Sequence, residues 1–288
     1  MNLLDELEAR VVCGDGAMGT LLLAAGVPIQ SCFEELCVSE PERIHEIHED
    51  YIAAGARLIE TNTFGANAVR LERFGMEKRV REINSAGVAV ARSAAKKKDV
   101  YVGGSVGPLG LSGEEAAARG IDRAECFREQ ITALLDGGVD MIFFETFTDL
   151  EEMEIALRAK NEVGDGLEIC SFACAREGRL RCGTTLGDAF TRLRDMGAKM
   201  LGVNCLNDPR EMAKLLQHIP AGYSLSVYPT AGQPRRHDND FHYDVTPESF
   251  AKYAGEFVTR GARLLGGCCG TTPTHIASLA TVIAELPR

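Results

Sequence analysis

Four stretches of the chain begin alike: Gly55-Ala56-Arg57-Leu58-Ile59, Gly138-Val139-Asp140-Met141-Ile142, Gly197-Ala198-Lys199-Met200-Leu201 and Gly261-Ala262-Arg263-Leu264-Leu265. In each, a glycine follows a segment with apolar residues at helical spacing, and a short apolar run follows the glycine. A glycine so placed ends a helix in a left-handed cap, and the apolar run reads as a buried strand. The repeat therefore predicts the helix-to-strand junctions of a parallel sheet. Apolar runs at 10–13, 100–106, 167–172 and 224–228 bring the strands to eight. Helical patterns fill the intervals, as at 41–54, 77–97, 149–163, 209–217 and 247–259. Eight strands alternating with helices predict an α/β fold, a (β/α)8 barrel of the TIM type, as one domain over residues 1–288. An open doubly wound sheet is the alternative, and the lack of a glycine-rich dinucleotide fingerprint after the first strand counts against it. Two connections are long, 17–40 and 229–246, and loops of that length in a compact barrel tend to be functional or mobile.

The repeat also supplies a ruler. Active sites of such barrels lie at the C-terminal ends of the strands. Seven residues beyond each leading glycine come Asn62, Glu145, Asn204 and Cys268, and one further come Cys205 and Cys269. The same count from Glu8 reaches Asp15. One level of the barrel thus carries two carboxylates, two amides and three cysteines, where an apolar layer would carry none.

Adjacent cysteines are an odd filling for a strand, whose neighbours point to opposite faces. Gly266, Gly267 and Gly270 give the backbone the freedom to turn both toward one point. Together with Cys205 they make a tripod of thiolates from two strand ends, with one tetrahedral position open. That suits a catalytic Zn²⁺. A zinc held by three thiolates is electron-rich and keeps an incoming thiol nucleophilic, which favours S-alkylation over hydrolysis. A structural zinc knuckle is disfavoured because no CxxC occurs. Thr272 reads as the N-cap and Pro273 as the first residue of the closing helix, with His275 inside it in a capping or surface role. Cys13, Cys126, Cys170, Cys174 and Cys182 read as small buried hydrophobes.

The composition fits a folded chain able to bury a large core: 288 residues, 45% hydrophobic and 25% charged. A formal net charge of −11 argues against nucleic acid or an anionic membrane as partner. The basic run Lys96-Lys97-Lys98 reads as a solvated helix end. No apolar stretch is long enough to span a bilayer, and the acidic N-terminus does not have the form of a signal peptide. A cytoplasmic location is expected. The ten cysteines, irregularly spaced, do not suggest a disulfide framework there.

With these residues in view, the chain resembles the homocysteine S-methyltransferase family. The motifs are GDGAMGT (14–20), ETNTFGAN (60–67), GSVGP (104–108), FETFTD (144–149), GVNC (202–205) and GGCCGTTPTHI (266–276). The first two look closer to the homocysteine-binding module of cobalamin-dependent methionine synthase than to betaine–homocysteine methyltransferase. The resemblance implies zinc on Cys205, Cys268 and Cys269, with homocysteine's sulfur in the open position. It implies that Asp15 and Glu145 bind the α-amino group and that backbone amides near Ala17 and Met18 hold the carboxylate. Asn204 is grouped with these substrate-binding residues. There is one departure: the family often has Asn-Ala-Gly after the seventh strand, where its Asn can cap a substrate-free zinc, and this chain has Thr230-Ala231-Gly232.

The methyl donor is less determined. Methionine synthase carries separate folate, cobalamin and activation modules, for which 288 residues leave no room. One reading is a homocysteine module that meets a methyl-corrinoid protein or a methyl-folate module elsewhere, with cobalamin only through that partner. The alternative takes methyl directly from S-methylmethionine or betaine. Asp240-Phe241-His242 superficially resembles the D-x-H-x-x-G of cobalamin modules, but Val245 stands where the glycine is required. A reading of another class is a non-catalytic zinc or thiol sensor using Cys268 and Cys269, which would have no need of Asp15 and Glu145 at the same level.

Overall fold

The computed structural model describes residues 3–96, 98–237 and 240–286. The strands are β1 (Val12–Cys13), β2 (Leu58–Glu60), β3 (Tyr101–Val106), β4 (Met141–Phe147), β5 (Leu167–Phe172), β6 (Met200–Asn204), β7 (Leu225–Tyr228), β8 (Arg235–His237), β9 (Asp240–His242) and β10 (Ala262–Leu265). Eight of them pair in the order β1-β10-β7-β6-β5-β4-β3-β2, and every pair is parallel. A parallel bridge from Gly14 to Leu58 brings the two edges together. The Arg57 N–H donates to the Cys13 carbonyl at 2.8 Å beside it. The eight strands expected from the pattern are present and form a nearly closed barrel with helices outside.

The four repeat glycines have the left-handed conformation expected of them: φ is 107° at Gly55, 89° at Gly138, 92° at Gly197 and 99° at Gly261. The helix Pro41–Ala53 ends just before Gly55 as the periodicity placed it, and Val80–Ala95 fills the expected helical interval before β3. The helix expected at 247–259 is divided into Pro247–Ala251 and Ala254–Thr259. Lys97 of the basic run and residues 238–239 of the long loop lie outside the described residues.

Two apolar layers result. One lies between strands and helices. The other fills the barrel's lower interior, where Val12, Leu58, Met141, Ile169, Met200 and Leu264 meet Leu3 and Leu7 of the N-terminal helix Leu3–Ala9. That helix plugs one end, so the polar residues collect at the other. There the 229–246 connection folds into the antiparallel hairpin β8–β9, with Arg235 opposite His242. Its strands are three residues each and mostly polar, so no apolar period announced them.

The repeat glycines differ in what a side chain would meet. A Cβ on Gly197 meets nothing within 4 Å, whereas one on Gly261 would lie 2.5 Å from the Tyr223 carbonyl oxygen. Gly197→Ala should cost about 1 kcal/mol, from the left-handed φ alone, and Gly261→Ala about 3 kcal/mol or more, because backbone must also move. Urea unfolding midpoints measure the difference, and equal costs would contradict this packing.

Candidate functional site at the strand ends

A cavity of about 480 Å³ opens at the C-terminal ends of the strands, within the range of small-molecule sites. Asp15, Glu60, Glu145, Asn204, Tyr228 and the three cysteines line its wall, and Phe33, Phe64, Pro234, Phe241 and Tyr243 its apolar side. Phe241 belongs to β9, so the Asp240-Phe241-His242 segment is part of this loop hairpin.

The cysteines reach the cavity from two strands that flank β7. The Cys205 N–H donates to the Tyr228 carbonyl at 2.9 Å, and the Cys268 N–H to the Pro229 carbonyl at 2.8 Å. Cys205 and Leu206 are left-handed, with φ of 59° and 58°, conformations that cost a non-glycine residue free energy. The turn is held by Asn207, whose N–H donates to the Cys205 carbonyl at 2.6 Å and whose side chain donates to the Cys174 carbonyl at 2.7 Å. On the other side, a Cβ on Gly266 would fall 2.4 Å from the Tyr228 ring, and one on Gly270 2.1 Å from the Tyr243 ring. The glycines around the pair are therefore required by close approach.

All three sulfurs lie within 4.8 Å of one another, and Cys205 Sγ is 3.9 Å from Cys269 Sγ. Tetrahedral zinc with Zn–S bonds of about 2.3 Å needs sulfurs about 3.8 Å apart, so the trio fits such an ion with little adjustment. Thiol donors from Cys205 and Cys268 hold Cys269 as the thiolate, down to about 3. The Cys268 thiol is pushed up by its contacts with Cys205 and Cys269 and by burial. Among the described residues, this is the one group of cysteines, histidines and carboxylates close enough to hold a metal ion.

Three carboxylates share the cavity. Asp15, 4% exposed, accepts the Glu60 N–H at 2.8 Å, and its own carbonyl accepts the Gly267 N–H at 2.8 Å, which ties it to the cysteine loop. Glu145 accepts from the Ser105 hydroxyl. Burial is the main cause that pushes all three carboxyls up, and the charge of Glu145 adds to it at Asp15 and Glu60. Glu60 was not among the residues picked from the sequence. The ruler steps past it to Asn62, although an acidic residue ending the apolar run Leu58-Ile59 was the available signal.

The amides brace the wall. Asn204 Oδ1 accepts from the Thr146 N–H and the Ser171 hydroxyl, both at 2.9 Å, and its Nδ2 donates to Thr146 Oγ1 at 2.8 Å. It thereby holds Thr146 at φ 63°, next to Glu145, while its own neighbour is Cys205. Asn62 Nδ2 donates to the Phe33 carbonyl at 2.7 Å and anchors the 17–40 loop. The Ala17 N–H is engaged with Thr271 Oγ1 at 3.1 Å. Met18 stands at the N-cap of the helix Gly19–Ala24, where its carbonyl accepts the Leu21 and Leu22 N–H groups at 3.1 Å. Thr230 is buried and its hydroxyl donates to the Gly232 carbonyl at 3.0 Å.

His275 is a capping residue. Its Nδ1 accepts the Thr272 N–H at 3.2 Å, at the start of the helix Pro273–Glu285. All ten cysteines are free; Cys13, Cys170 and Cys174 are buried and Cys126 half-buried as expected of small hydrophobes. Cys182 is exposed, a correction to that reading: it sits in the turn region between β5 and the next helix, where no apolar layer covers it.

Residues 12–283 match the homocysteine S-methyltransferase family. The chain belongs to that family. It is 35% identical over 312 residues to the methionine synthase of Mycobacterium tuberculosis, covering 100% of this chain and 26% of that protein. For the methionine synthase of Mycobacterium leprae the figures are 33%, 99% and 25%. The chain thus spans about a quarter of the length of these relatives. The homocysteine methyltransferase MmuM of Escherichia coli is similar in structure and 28% identical. Its oxidized form covers 98% of this chain and 99% of its own, with a TM-score of 0.80. Its metallated form has a TM-score of 0.77, with 96% and 99% covered. Among the described residues, no helix is long and apolar enough to cross a membrane.

A carboxyl raised in the folded state ionises later than in the unfolded chain. Above the ordinary carboxylate range the unfolded state therefore holds fewer protons, and stability falls as pH rises. Glu60→Gln removes this penalty. The ligand-free variant should be more stable than the wild type near about pH 8, with the advantage shrinking toward about pH 4, where both states are protonated. Denaturant unfolding at the two pH values measures it; a variant less stable at the higher pH would contradict the buried-charge account.

Proposed function

We propose that residues 1–288 are a zinc-dependent homocysteine S-methyltransferase barrel that forms methionine. The observation that carries this reading is the convergence of Cys205, Cys268 and Cys269 on the same cavity as Asp15 and Glu145. Cys205, Cys268 and Cys269 would hold the zinc. When bound, zinc supplies an open position at which a thiol loses its proton and stays nucleophilic at neutral pH. Asp15 and Glu145 take the α-ammonium group, because a buried cation needs paired carboxylates. Backbone amides near Ala17 and Met18 take the α-carboxylate. The apolar residues around the cavity keep water from the thiolate. The homocysteine sulfur then attacks the donor methyl in line: the new S–C bond forms as the donor–C bond breaks, and much of the acceleration comes from proximity. Ten free cysteines suit a reducing, cytoplasmic setting.

For the donor, the greater identity to the mycobacterial methionine synthases, of which this chain matches a quarter, supports a methyl-corrinoid presented by a separate protein or module. The end-to-end match to MmuM supports a second reading, a small donor used directly, such as S-methylmethionine or betaine.

Zinc content and homocysteine methylation should be measured together in the wild type and Cys268→Ala, with methylcobalamin, S-methylmethionine and betaine as donors. The wild type should bind zinc and methylate, and the variant should lose zinc with at least about a hundredfold of the activity, since the third ligand also sets the thiolate. Zinc binding without turnover on any donor would favour a thiol sensor instead.

A further inference from the structure

We infer that Glu60 and Tyr228 are substrate-recognition residues that complete, with Asp15 and Glu145, a site for a primary ammonium group. Two orphaned atoms point there. Glu60 Oε1 and Tyr228 Oη are buried without a hydrogen-bond partner among the described residues. Both residues line the cavity. Tyr228 is 3% exposed, so its hydroxyl has no recourse to bulk water. Leaving such groups unpaired costs free energy, which a ligand able to pair them recovers.

The place of the hydroxyl is built rather than incidental. Tyr228 ends β7, between the two cysteine-bearing strands, with its ring edge-on to Phe143 at 5.2 Å. A Cβ on Gly14 would fall 1.9 Å from Tyr228 Oη, so Gly14 and Gly266 both leave space for this ring. The hydroxyl lies beside Glu60 without closing a hydrogen bond to it. Glu60 is in turn fixed against Asp15 through its backbone N–H. Four strand ends, those of β1, β2, β4 and β7, thus direct oxygen atoms at one region of the cavity.

The chemistry of the occupant follows from the acidic lining. Three carboxyls line this part of the cavity with no basic residue in its lining, and among the described residues only the three cysteines group as metal ligands. An ammonium directs three N–H bonds outward and brings a positive charge, so it can pair carboxylate and hydroxyl oxygens together. A hydrophobic or anionic group would leave the carboxylates unpaired. The cavity should therefore refuse thiols whose amino group is missing or acylated. The identity of the thiol end rests on the function proposed above.

The test is calorimetric titration of the zinc-loaded wild type, Glu60→Gln and Tyr228→Phe with two thiols: homocysteine, and 4-mercaptobutyrate, which lacks only the amino group. Methylation of homocysteine is assayed in parallel. The wild type should prefer homocysteine by about a hundredfold, and Glu60→Gln should cut that preference by about tenfold, since a site built to pair a polar group discriminates strongly against its absence. Tyr228→Phe should cut it by a smaller factor. Binding of 4-mercaptobutyrate should be unchanged in both variants. A variant that weakens both thiols equally would show a merely structural role and overturn the inference, as would a wild type with no preference. Preference without any methyl transfer would sink the proposed function and leave the inference standing. Normal methylation with a preference untouched by either substitution would do the reverse.

Discussion

Two backbone hydrogen bonds at the end of β7 hold the site together. The Tyr228 carbonyl accepts from Cys205 and the Pro229 carbonyl from Cys268, so one strand end sets the separation of sulfurs that come from two others. Backbone geometry is stiff at this point, because the strands on both sides are paired along their length. The thiol tripod is therefore an outcome of barrel closure, and it does not depend on the mobile torsions of long side chains. Cysteine, with one such torsion, converts that backbone placement directly into ligand placement.

The strain in the structure is concentrated in the same place. Among the described residues, the three non-glycine residues with positive φ are Thr146, Cys205 and Leu206, and the first two line the cavity. Each such conformation costs of order 1–3 kcal/mol and persists only where the surroundings over-determine it. Here Asn204 does so for Thr146, and Asn207 with Tyr228 does so for Cys205. Asn204 links the two, since its side chain grips the residue after Glu145 and its backbone precedes Cys205. The carboxylate wall and the cysteine wall are thus mechanically one unit.

Much of this was legible in the chain, for reasons that can be named. The glycine that caps each helix must have positive φ, and few other residues adopt it cheaply, so the repeat stood out at Gly55, Gly138, Gly197 and Gly261 and brought the strand ends into register. Counting from it reached Asp15, Glu145, Asn204 and the three cysteines, all of which line one cavity. The count passed over Glu60 because it measured the level of the sulfurs, and Glu60 lies deeper, on the last residue of β2. The braces escaped as well. That Asn204 turns its amide toward Thr146 and Ser171, or that the Ala17 N–H is taken by Thr271 from the far end of the chain, depends on contacts between distant segments that no local pattern records. The β8–β9 hairpin escaped because six polar-rich residues carry no period.

The central claim is that three cysteines of this chain leave one metal position for a substrate's sulfur. X-ray absorption at the zinc edge tests it most directly, on the zinc-loaded chain before and after saturation with homocysteine. The account predicts three sulfur neighbours at about 2.3 Å alone and four with homocysteine present. A sulfur count that stays at three when homocysteine is demonstrably bound would contradict it.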